Sequence, residues 1–167
     1  FTGNDAFTIE GWLYLDSIGP VMGTQGYTAA NPMVIYSTAS SSNKYGGTII
    51  EIAKDGSSWV FQLKCFNNTG NVQGSIISSK AGIPYGAWFH FSFSVEKQVL
   101  PEGGTAGDVN PLGKSVLYIN AKENARGYVL GDYKDTNALP GVPYIGYSFG
   151  IDTSHFIGKM TNIRIWD

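Results

Sequence analysis

Three aromatic-rich segments lie far apart in the chain, and each alternates apolar with other residues at every second position. They are FTIEGWLYLD at 7–16, WFHFSFSVE at 88–96 and FIGKMTNIRIWD at 156–167. A period of two is that of a half-buried strand, whose successive side chains point to opposite faces of a sheet. Strands of this kind at both ends and in the middle of 167 residues predict one large antiparallel sandwich rather than a string of small domains. In the first segment the alternation places Phe7, Ile9, Leu13 and Leu15 on one face, with Glu10, Trp12 and Tyr14 on the other. In the second, Trp88 and His90 oppose Phe89, Phe91 and Phe93; in the third, Asn162, Arg164 and Trp166 oppose Ile163 and Ile165.

The remaining pattern is also strand and turn, with no helical period. Strands are predicted near 7–16, 33–38, 47–54, 58–66, 72–78, 88–96, 115–120, 125–130, 143–148 and 157–166. Stretches rich in Gly, Ser, Asn and Pro separate them, the longest at 17–32 and 101–113. No internal repeat or composition shift divides the chain, so residues 1–167 are expected to form a single domain. The chain opens almost directly into a strand, and the expectation is a domain excised from a longer protein. One hairpin can be placed in register: Asp55-Gly56 is a two-residue turn signal. That turn sets Ile52 opposite Trp59, Ile50 opposite Phe61 and Thr48 opposite Leu63, with Cys65 beyond them. Glu51, Gln62 and Lys64 fall on the other face, and Trp59 is expected in the core.

Composition excludes several functions. A net charge of −2, with 14% charged residues, lacks the clustered basic face that nucleic acid requires, and it does not suit an anionic membrane surface. No stretch approaches the length of a membrane-spanning helix. Cys65 is the only cysteine, so no disulfide forms within the chain; it reads as a small buried hydrophobe. Gly, at 22 residues, is about twice its usual share, as a turn-rich fold needs.

Four elements, taken in order, resemble the laminin-G-like, or concanavalin A-like, jelly-roll superfamily. FTIEGWLYLD is similar to its F-T-I-E-x-W strand, and Trp88-Phe89-His90 to a W-x-H element. SVLYINA at 115–121 is similar to an L-Y-x-N-G hairpin, and the segment 156–166 to a closing F-x-G-x-I-x-x-x-R-I strand. The resemblance implies a two-sheet antiparallel β-sandwich of jelly-roll type. It also implies carbohydrate or partner binding at an extracellular or bacterial cell surface, alongside other domains of a parent protein. The chain departs from the pattern in places. Ala121 stands where Gly usually follows the Asn; a Cβ at positive φ is costly, so a turn longer than two residues is expected there. Met160 and Thr161 replace a common Ile-Asp pair, and the strand that usually precedes F-T-I-E is reduced to residues 1–3.

Relatives with this sandwich include glucanases, whose chemistry needs two carboxylates about 5–9.5 Å apart. None of Glu10, Glu51, Glu96, Glu102 and Glu123 has a second acid two or four residues away on a predicted strand, so a glycoside hydrolase is the weaker reading. A nucleophilic triad lacks its G-x-S-x-G, a phosphate loop lacks its Gly-Lys-Ser/Thr, and one Cys with two distant His does not make a zinc site. His90 reads as a hydrogen-bonded structural residue. No cofactor is expected apart from calcium, for which Asp132, Asp135 and Asn137 in GDYKDTN offer hard oxygen ligands without an EF-hand's spacing.

The remaining candidate is the mixed face of the three motif strands. Glu10, Trp12, Tyr14, Trp88, His90 and Arg164, with Tyr45 from a loop, combine flat aromatic surfaces with hydrogen-bonding groups, and sugars take both. The reading is a non-catalytic carbohydrate-binding module. The alternative is a structural or interaction domain that packs on its parent chain or a partner, favoured if Trp12, Trp88 and Trp166 are buried within the isolated domain.

Overall fold

The structure is a computed structural model that describes residues 6–15, 32–38, 48–55, 58–66, 72–77, 83–96, 111–130, 143–147 and 155–166. Among the described residues every regular element is a strand: β1 Phe7–Tyr14, β2 Met33–Ser37, β3 Thr48–Asp55, β4 Ser58–Phe66, β5 Val72–Ile77, β6 Trp88–Val95, β7 Pro111–Ile119, β8 Lys122–Leu130, β9 Tyr144–Ile145 and β10 Lys159–Trp166. They form two five-stranded sheets, ordered β10-β1-β6-β7-β8 and β5-β4-β3-β2-β9. All pairings are antiparallel. The three motif strands are therefore neighbours in the first sheet, with β1 between β10 and β6.

The faces follow the alternation. Ile9, Leu13 and Leu15 of the first motif and Phe89, Phe91 and Phe93 of the second are buried. From the opposite sheet Phe61 packs between Phe91 and Phe93, with ring centroids 5.2 Å from each. Ile50, Ile52, Leu63, Leu117 and Ile119 extend this core. The outward residues of the second sheet, Val34, Ile49, Ala53 and Val60, are buried as well. Buried among them, Glu51 accepts a hydrogen bond from Lys64 Nζ at 2.5 Å.

The hairpin β3–β4 corrects the expected register. Asp55 pairs with Ser58, Lys54 with Trp59, Ile52 with Phe61 and Ile50 with Leu63, so the pairing is displaced by two residues. A two-residue displacement leaves every side chain on its original face, so alternation alone cannot detect it. Glu51, Gln62 and Lys64 still share the outward face. Trp59 is partly buried and packs at the edge of the core. The Cys65 side chain lies outside the described residues.

The β7–β8 hairpin also departs from expectation. Ile119 pairs with Lys122, so the turn has two residues, Asn120 at φ 51° and Ala121 at φ 61°. Alanine tolerates this because its neighbour is fixed. Asn120 N–H donates to the His90 carbonyl at 2.8 Å, and His90 N–H donates to Asn120 Oδ1 at 2.9 Å. These two bonds and the ladder over-determine the turn. Both strands are consequently longer than predicted. β7 starts at Pro111, as a strand's first residue can be proline, and its register shifts around Gly113. By contrast β9 shrinks to two residues.

β10 carries a bulge opposite Gly11, where pairing passes from Glu10↔Arg164 to Trp12↔Thr161. Asn162, at φ 51°, absorbs the extra residue. A Cβ on Gly11 would fall 2.3 Å from Ile163 Cδ1, 3.2 Å from Ile163 Cα and 3.3 Å from the Phe91 ring, so Ile163 packs into the space that this glycine leaves open. Gly158, the glycine of the closing motif, has φ 142°, and a Cβ there would sit 2.2 Å from the Tyr14 carbonyl oxygen.

Candidate functional site

The outward face of the first sheet contrasts with that of the second, because its large apolar side chains are open. Trp12, Trp88 and Trp166 are 41%, 44% and 52% exposed. Register places the face in rows across β10, β1 and β6: Trp166–Thr8–Ser94, Arg164–Glu10–Ser92, Thr161–Trp12–His90 and Lys159–Tyr14–Trp88. Cross-strand neighbours on one face sit about 4.5–5.5 Å apart, close enough for these side chains to hold one another.

They do so in pairs. Trp166 Nε1–H donates to Glu10 Oε1 at 3.1 Å, and the other oxygen of Glu10 lies 3.7 Å from His90 Nε2. His90 meets Trp12 edge-on with centroids 5.3 Å apart. Trp88 meets Tyr14 edge-on at 5.7 Å, and Lys159 Nζ stands 5.1 Å from the centroid of the Tyr14 ring. Thr8 Oγ1 and Ser94 Oγ are 3.3 Å apart at the Trp166 end. Each exposed indole thus has a fixed neighbour, which lowers the ordering cost that a ligand would otherwise meet.

Six of the sequence-predicted residues, Glu10, Trp12, Tyr14, Trp88, His90 and Arg164, come together on this face. Tyr45 lies outside the described residues, as do the calcium candidates Asp132, Asp135 and Asn137. Among the described residues no three His, Cys, Asp or Glu side chains converge as a metal site would require. The His90 backbone bonds Asn120 in both directions, while its ring stands against Trp12 and near Glu10.

Two further members of the face come from β10. Trp166 shares a face with Arg164 by simple alternation. Lys159 does not, because alternation puts it with Ile163 and Ile165. The bulge reverses the parity, so Lys159 points outward and Met160 packs against the core. The one sequence hint is Asn162, a residue type tolerant of positive φ.

Toward β8 the face changes character. Arg126 and Glu123 form a two-pronged ion pair, with Arg126 Nε donating to Glu123 Oε1 at 2.8 Å and a second bond between Arg126 Nη2 and Glu123 Oε2. The hydrogen-bonded Glu123 carboxylate holds the Arg126 guanidinium above its usual pKa. Glu10 and Glu123 stand on strands three inter-strand spacings apart, about 14 Å between backbones. Glu51 lies on the other sheet.

Among the described residues no helix is long and apolar enough to cross a membrane. A search of curated proteins returns no match. The laminin-G-like family described as belonging to the concanavalin A-like lectin/glucanases superfamily matches residues 1–167. The match covers the whole chain and the described strands form the two sheets of this fold, so the chain belongs to this laminin-G-like family of the concanavalin A-like superfamily.

Proposed function

We propose that this domain is a non-catalytic carbohydrate-binding module of an extracellular or bacterial cell-surface protein, and that it binds glycan on the outward face of β10, β1 and β6. The observation that carries the reading is the exposure of Trp12, Trp88 and Trp166 on one sheet face, each braced by a neighbour. Indole faces receive the C–H surfaces of sugar rings. Glu10, His90, Ser92 and Arg164 supply hydrogen-bonding groups beside them for hydroxyls.

Membership of the family supports the surface location, and calcium remains a candidate ligand through Asp132, Asp135 and Asn137.

Titration of the purified domain with soluble polysaccharides, followed by tryptophan fluorescence with and without calcium, tests this. The expected result is a saturable shift that Trp12→Ala or Trp88→Ala abolishes while far-UV circular dichroism is unchanged. A flat response to every polysaccharide would sink the reading and leave a protein partner as the occupant of this face.

A further inference from the structure

Resting on the carbohydrate-binding reading, the arrangement of the face also indicates which glycans it takes. The three exposed indoles form a staggered line rather than a cluster. Trp166 lies beside Thr8, Trp12 is four residues further along β1, and Trp88 stands beside Tyr14, two residues beyond that. At ~3.4 Å per residue and ~4.8 Å between strands, the line from Trp166 to Trp88 is about 22 Å long. Such a line outruns a mono- or disaccharide and suits the interior of an extended chain.

Charge is distributed unevenly along the same face. At the β8 side Arg126 is occupied by Glu123, and Glu96 also acts on it. At the aromatic side Glu10 turns to Trp166 and His90, although Arg164 is its register partner. Arg164 is exposed and, among the described residues, has no carboxylate partner. Lys159 is exposed too, with its Nζ over the Tyr14 ring and no carboxylate partner among the described residues. These two cations lie beside Glu10 and Tyr14, a spacing along the strand of about 14 Å. They flank the Trp12 row. On a chain whose net charge is −2, two exposed cations with no carboxylate partner among the described residues, set beside open indoles, complement an anionic ligand, and a guanidinium fork matches a carboxylate.

We infer that the face binds an extended acidic polysaccharide. Its sugar rings lie over Trp166, Trp12 and Trp88, and uronic acid carboxylates meet Arg164 and Lys159.

Calorimetric titration with oligomannuronates and oligogalacturonates, from disaccharide to octasaccharide, in chelator and against cello-oligosaccharides of equal length, tests this. Affinity should rise with length in the acidic series, exceed that for the neutral series and fall with added salt. Arg164→Gln should weaken acidic oligomers about tenfold, the worth of one charge-assisted hydrogen bond. It should leave the circular dichroism unchanged. Trp166→Ala should weaken the octasaccharide and spare the disaccharide. Neutral oligomers binding as tightly, or acidic binding indifferent to Arg164→Gln, overturns the acidic inference while carbohydrate binding stands. Equal losses for short and long oligomers on Trp166→Ala overturn the extended path. No binding by either series, together with a flat polysaccharide panel, removes the carbohydrate reading itself.

Discussion

Replacing Ala121 by glycine should stabilise the protein, and the amount follows from the turn. Ala121 is exposed at φ 61°, a conformation that costs an L-residue about 1–2 kcal/mol because Cβ crowds the backbone. Glycine avoids that crowding, but it makes the unfolded chain more flexible, which offsets about 0.4–1 kcal/mol. The net gain is about 0.8 kcal/mol, since the side chain packs against nothing that would be lost. For a domain of this size that raises the midpoint of thermal unfolding by about 2–3 °C. Urea and thermal unfolding of Ala121→Gly and Ala121→Val, with the wild type between them, measure it. The valine variant should fall below wild type, because a branched Cβ tolerates positive φ least. The urea slope should be unchanged, so that only the midpoint moves. A glycine variant no more stable than wild type would refute the claim that Ala121 is strained in a two-residue turn.

Ser115 is fully buried and, among the described residues, its hydroxyl has no hydrogen-bond partner. Ser115→Ala should therefore gain about 1 kcal/mol in urea unfolding, and a loss instead would mean that the hydroxyl has a partner. Burial of Tyr36 raises its phenol pKa above the ordinary 10.0. The folded state then holds a proton that the unfolded state releases, so stability is full below pH 10 and falls as pH rises above it. Tyr36→Phe should shallow this alkaline decline in pH-dependent urea unfolding, and an identical decline in the variant would refute the assignment.

Where sequence and structure agree, burial had set the answer. Alternation put Phe89, Phe91 and Phe93 on one face and Trp88 and His90 on the other, but a Trp-bearing face can itself be core, and it is the burial in the structure that turns the Phe face inward. The same logic placed Glu10, Trp12 and Arg164. It had no purchase on the β3–β4 register, because moving Ile52 from Trp59 to Phe61 buries the same residues. Nor did it reach the β7–β8 turn. Residue preference argues against alanine at positive φ, whereas the deciding bonds run from Asn120 to His90, thirty residues away in sequence. Propensity is local, and those bonds are not.

The bulge in β10 shows how one irregularity links core to site. Without it, strict alternation would send Lys159 toward the core with Ile163 and Ile165, and a buried ammonium without a partner is prohibitive. With it, Met160, Ile163 and Ile165 all reach inward, while Lys159 and Arg164 reach the face that carries the indoles. The cost falls on two positions. Asn162 accepts a positive φ, and Gly11 gives up a side chain so that Ile163 can occupy its space. The row Lys159–Tyr14–Trp88 therefore depends on a glycine in the F-T-I-E-G-W strand as much as on the residues that would touch a ligand. It follows that Gly11 belongs to the construction of the site, although its own surface is buried. A side chain at position 11 would press on Ile163 and, through the bulge, shift Lys159 and Arg164 relative to Trp12.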